Sequence, residues 1–62
     1  MAEFGEKLRE WRLAAKLFQK EAADVLGVSV RTYQAWEERR RSPNEIMQSE
    51  LFRRMNNHKA ND

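Results

Sequence analysis

A chain of 62 residues holds one compact domain and buries only about 60% of its unfolded surface, so most of its apolar side chains must serve the fold. At 40% hydrophobic and 35% charged the composition is globular rather than disordered, and the absence of cysteine excludes a disulfide framework and thiolate metal sites. The net charge of +2 is less informative than its distribution: Ser29 to Pro43 carries Arg31, Arg39, Arg40 and Arg41 against Glu37 and Glu38, while the first ten residues hold three glutamates against Lys7 and Arg9. A basic region beside one helix is a nucleic-acid signal, although a solvated charge run accounts equally well for any one cluster.

Phe4, Leu8, Trp11 and Ala15 recur at helical spacing and predict an amphipathic first helix over Glu3–Lys16. A short second helix fits Gln19–Leu26, with Ala22, Ala23 and Leu26 on one side. Gly27 tolerates the left-handed backbone that closes a helix, and Ser29 is a strong N-cap for the next. The third helix is predicted over Val30–Glu38, with Tyr33 and Trp36 inward. Pro43 disfavours helix at the residue before it, so Arg39–Pro43 reads as a loop. Asn44 or Ser42 caps a fourth helix running to Met55, with Met47, Leu51 and Met55 as its buried stripe. Residues 1–55 form the domain, and 56–62 are a polar, frayed tail.

Two helices joined by about three residues must cross steeply, which demands specific residue types. Ala23 is small at the closest approach, Gly27 supplies the turn, and Ala22, Leu26, Val28, Tyr33 and Trp36 attach the pair to the first helix. Those requirements are met in register. On a helical wheel Val30, Arg31, Gln34 and Ala35 fall on the outer face of the third helix, where they could read base edges. The guanidinium fork of Arg31 suits guanine O6 and N7, Gln34 suits adenine or a phosphate, and Val30 and Ala35 suit a thymine methyl. Thr32, at the margin, and Ser29, at the helix start, are placed for phosphate. Phe4, Trp11 and Trp36 are core residues in so small a domain. Tyr33 lies inward with its hydroxyl in reach of solvent or phosphate.

The stretch Leu8-Arg9-Glu10-Trp11-Arg12, the run Gln19-Lys20-Glu21-Ala22-Ala23-Asp24-Val25-Leu26-Gly27-Val28-Ser29, and Ala35-Trp36-Glu37 followed by Ser42-Pro43 together resemble the lambda-repressor/Cro-type helix-turn-helix family, also called XRE. The resemblance spans roughly residues 4–55, and the run Leu26 to Pro43 is especially similar to short phage regulators and HigA-like antitoxins. It implies an all-α, compact four- to five-helix lambda-repressor-like domain that binds double-stranded DNA. It also implies that Gln19 reaches a backbone phosphate, that Arg12 and Glu37 form a partly buried ion pair, and that Arg39, Arg40 and Arg41 touch the DNA backbone. Two positions depart from the pattern. Phe18 stands where Ser, Thr or Asn usually caps the second helix, and Arg39 stands where Gly commonly ends the third. Either the third helix runs longer or Arg39 adopts a left-handed backbone at a cost of roughly 1–2 kcal/mol.

Ile46 and Phe52 fall outside the buried stripe of the fourth helix and are the candidate homodimer interface; two-fold symmetry would then pair them with an inverted-repeat operator. The expectation is a cytoplasmic transcriptional repressor from a phage, a mobile element or a toxin–antitoxin-like operon, acting by operator occupancy. The alternative is a protein-interaction module that binds a toxin or polymerase subunit through the fourth helix. No run approaches the roughly 18 apolar residues of a membrane span, and the start lacks a basic-then-apolar signal. With no cysteine, no Gly-rich phosphate loop, no paired acids and only His58 in the polar tail, no enzyme, metal site or cofactor is expected.

Overall fold

The structure, a computed structural model, describes residues 3–58; residues 1 and 2 of the expected domain and 59–62 of the expected tail lie outside the described residues. Those described form an all-helical domain of four helices: α1 (Phe4–Ala14), α2 (Gln19–Leu26), α3 (Val30–Glu37) and α4 (Glu45–Asn57). Helices of eight residues are marginal in isolation, so α2 and α3 owe their persistence to packing. Phe4, Leu8, Ala22, Ala23, Leu26, Tyr33, Trp36, Leu51 and Met55 form one buried cluster, with Trp11, Leu17, Val25, Val28 and Phe52 packed against it. The Phe4 ring is the hub, meeting Trp36 edge-on at 5.8 Å and Phe52 at 5.4 Å.

Three helices end with the same device. At each end a left-handed residue lets two successive N–H groups fold back onto carbonyls of the last turn, the Schellman arrangement. At α1 the residue is Lys16 (φ 60°), with Lys16 N–H donating to Leu13 and Leu17 N–H to Arg12. At α2 it is Gly27 (φ 76°), with Gly27 N–H donating to Asp24 and Val28 N–H to Ala23. At α3 it is Arg39 (φ 63°), with Arg39 N–H donating to Trp36 and Arg40 N–H to Ala35. Arg39 therefore takes the left-handed option, and α1 stops two residues short of Lys16.

The helix starts are equally specific. Asn44, not Ser42, caps α4, accepting from Met47 N–H at 2.8 Å. Phe18 offers no side-chain acceptor, but its own N–H donates to Glu21 Oε1 at 2.8 Å, so half of a reciprocal capping box survives. Gly5 lies where the first turn of α1 abuts the end of α3; a Cβ there would overlap the Trp36 carbonyl oxygen.

Two expectations for α4 are corrected. Met47 is 43% exposed rather than buried, because only the second half of the helix, from Leu51 to Met55, rests on the core. Phe52 is half-buried against Phe4, with Lys7 Nζ 5.6 Å from its ring centroid, so it belongs to the core edge rather than to a free surface. The helix also continues through Asn57, into the stretch expected to be frayed, and His58 packs edge-on against Trp11 at 6.1 Å.

Candidate nucleic-acid interface

α2, its turn and α3 form the helix-turn-helix. Gly27 makes the turn possible, since its φ of 76° is unfavourable for any side chain. Ser29 then starts α3, its Oγ accepting from Thr32 N–H at 3.1 Å. A residue from outside the motif secures the corner: Arg54 of α4 donates from Nη1 to the Leu26 carbonyl at 2.5 Å, placing a cation on the exposed carbonyls at the end of α2. Nothing local in the sequence pairs Arg54 with Leu26, which lie 28 residues apart.

Behind α3 sits a polar network centred on Glu37. Arg12 Nε reaches Glu37 Oε2 at 2.7 Å and Arg12 Nη2 reaches Oε1 at 3.3 Å, with side-chain exposures of 14% and 6% for the pair. The Tyr33 hydroxyl donates to Oε2 at 2.6 Å, and Gln19 Nε2 donates to Oε1 at 3.1 Å. Arg12 Nη1 also holds the Leu17 carbonyl at 3.1 Å, tying the loop between α1 and α2 to the same point. Burial disfavours the Glu37 carboxylate, but the hydrogen bonds from Arg12, Tyr33 and Gln19 outweigh it and hold its pKa below the usual carboxylate value. The hydrogen bond to Glu37 raises the pKa of Arg12. Burial, together with donation to Glu37, pushes the Tyr33 phenol well above its ordinary value of 10.0. Tyr33 is wholly buried, so its hydroxyl is not available to solvent or phosphate.

The network continues outward. Gln34 Nε2 donates to Gln19 Oε1 at 3.1 Å, so the two glutamines assigned to DNA touch each other. The sequence carried part of this signal. Tyr33 and Gln34 stand four and three residues before Glu37, spacings that share a helix face.

The remaining candidates divide clearly. Arg31 is exposed and Val30 is 38% exposed, both on the outer face as expected. Ala35 is not: it is 5% exposed. The loop after α3 folds back onto this turn of the helix, with Arg40 and Arg41 N–H groups on the Ala35 carbonyl at 3.0 and 3.4 Å. Ala35 instead joins Arg31, Thr32, Arg40 and Arg41 in lining a shallow basic pocket of about 250 Å³. The single hydroxyl proton of Ser29 goes to Thr32 Oγ1 at 3.0 Å, so Ser29 acts as a cap while Thr32 keeps its own proton for another acceptor. Arg39 turns away toward α1, with Glu3 and Glu6 at 3.8 and 4.0 Å. Arg40 pairs with Glu38 at 2.8 Å at an exposed site. Arg31 and Arg41 have no carboxylate partner among the described residues.

A family model described as helix-turn-helix matches residues 8–57. The chain belongs to the Cro/CI/XRE-type helix-turn-helix family. The match takes in the Arg12–Glu37 pair, the turn at Gly27, the basic pocket and the whole of α4. No curated protein and no solved structure matches the chain. This helix-turn-helix protein accordingly has a DNA-binding, transcription-regulator-like function on double-stranded DNA, in a family that is typically non-enzymatic. Among the described residues no helix is long and apolar enough to cross a membrane, and no group of His, Cys, Asp or Glu could hold a metal ion.

Proposed function

We propose that this helix-turn-helix protein is a sequence-specific transcriptional repressor that lays α3 in the major groove and occupies its operator. The observation that carries the reading is the exposed guanidinium of Arg31, which has no carboxylate partner among the described residues, on a helix whose back is pinned by the Glu37 network. Arg31 reads guanine through O6 and N7, Val30 meets a thymine methyl and Gln34 contacts a base alongside. Thr32, Arg40 and Arg41 hold phosphates, giving affinity with steep salt dependence rather than sequence preference, whereas the Gln19 amide is engaged by Glu37 and Gln34 instead. Ala35, Ser29 and Arg39 drop out of the contact set for the reasons of burial, capping and orientation given above.

Ile46, 84% exposed at the start of α4, with Met47 beside it, is the apolar surface for a homodimer. A two-fold axis there would match an inverted repeat with half-sites about 34 Å apart. The same exposed turn favours the second reading, in which α4 docks on a protein partner. An electrophoretic mobility assay on DNA upstream of the gene separates the two. A retarded, competitor-resistant complex supports repression, and binding no tighter than to random duplex favours the partner reading. Ile46→Asp should lower the solution mass of a dimer to that of the monomer; an unchanged dimer mass removes Ile46 from the interface.

A further inference from the structure

Glu37 has a consequence for recognition as well as for packing, provided the DNA reading above holds. Its carboxylate meets four donors: Arg12 Nε and Nη2, the Tyr33 hydroxyl and Gln19 Nε2. An ionised carboxylate only accepts, so Gln19 must turn its nitrogen toward Glu37. Its carbonyl oxygen then points the other way, where it lies 3.1 Å from Gln34 Nε2. That oxygen also only accepts. Gln34 is therefore obliged to commit one N–H to Gln19, and flipping its amide would set two carbonyl oxygens against each other.

What Gln34 has left is one N–H beside one carbonyl oxygen. Adenine presents the N7 acceptor and an N6 amine in the major groove, which match that pair, whereas guanine presents two acceptors and needs two donors. An unrestrained glutamine amide can turn over and offer either sense. Here a chain of donors and acceptors, anchored on a charge that cannot donate, removes the choice. We infer that Glu37 is a positioning residue for DNA recognition, fixing the Gln34 amide through Gln19 so that this side chain selects adenine over guanine.

Two measurements test it. Neutron diffraction from the deuterated, DNA-free protein should show a deuteron on Gln19 Nε2 facing Glu37 and one on Gln34 Nε2 facing Gln19. A deuteron donated by Gln19 into a Gln34 carbonyl overturns the inference whatever the protein binds. Selection from randomised duplexes by the wild-type protein, beside Gln34→Ala and Gln19→Met, reads the consequence. The position that loses its preference in Gln34→Ala should favour adenine over guanine by about tenfold in the wild type. In Gln19→Met that preference should collapse while circular dichroism and the preference at the Arg31-dependent position persist. Guanine at that position, or an adenine preference untouched by Gln19→Met, overturns the inference alone. Enrichment of no duplex at all, with the deuterons where expected, overturns the DNA reading and the base selection that depends on it.

Discussion

Glu37→Ala is the most demanding perturbation the fold offers. It deletes the acceptor for a guanidinium whose side chain is 14% exposed, for a wholly buried tyrosine hydroxyl and for the Gln19 amide. Breaking a buried ion pair from one side costs about 3–5 kcal/mol, because the surviving charge is left uncompensated. A domain of 62 residues has a total stability of about 3–9 kcal/mol at typical values per residue. The variant should therefore lose at least a third of its stability, and at the lower end of that range it should sit at its unfolding midpoint at 25 °C. Urea denaturation followed by tryptophan fluorescence measures the loss directly. Replacing both partners by apolar side chains, Arg12→Met with Glu37→Met, should recover at least half of it, since no unpaired charge then remains. A loss below about 1 kcal/mol, the range of exposed pairs, would refute the claim that Glu37 organises the interior.

Four further outcomes follow from the same structure. The stabilisation tied to the lowered pKa of Glu37 is fully present above the ordinary carboxylate value of 4.5 and is lost as pH falls through the lowered value, so Glu37→Gln should flatten the acid limb of a stability–pH curve. On the alkaline side, the raised Tyr33 pKa means that the unfolded chain ionises above 10.0 while the native one does not. Stability should then fall, and the one tyrosine should show no phenolate absorbance near pH 10 until the protein unfolds. Lys16→Gly and Arg39→Gly should each stabilise by about 1 kcal/mol in thermal melts by relieving a left-handed side chain, whereas Gly27→Ala should cost about 1–2 kcal/mol. Gly5→Ala should cost about 1–3 kcal/mol, since the methyl meets backbone that cannot rotate away; an unchanged melting temperature would show that α1 can shift off α3.

The helix-turn-helix was legible because its requirements are local: Ala23, Gly27 and Ser29 sit at fixed offsets, and each does the job its chemistry suggests. The Arg12–Glu37 pair was reached through family resemblance, spanning 25 residues that no periodicity connects. What escaped were contacts made by chain segments folding back. Ala35 faces outward on a helical wheel, yet the Arg40–Arg41 loop returns onto its turn of the helix because Arg39 closes α3 in a left-handed turn. Arg54 on Leu26, and Gly5 under Trp36, depend on how separate helices meet. Met47 and Phe52 exchanged roles because only the second half of α4 reaches the core, so helical spacing alone misplaced the buried stripe.

The central claim, that α3 reads DNA through Arg31, is tested most directly by fluorescence anisotropy of the wild type and Arg31→Ala on a selected operator and on its single-base variants. Arg31→Ala should weaken operator binding by about 1–3 kcal/mol and erase discrimination at one guanine, with Arg41→Gln lowering affinity evenly across sequences and reducing the salt slope by about 1. Identical base discrimination with and without the Arg31 guanidinium would contradict that claim.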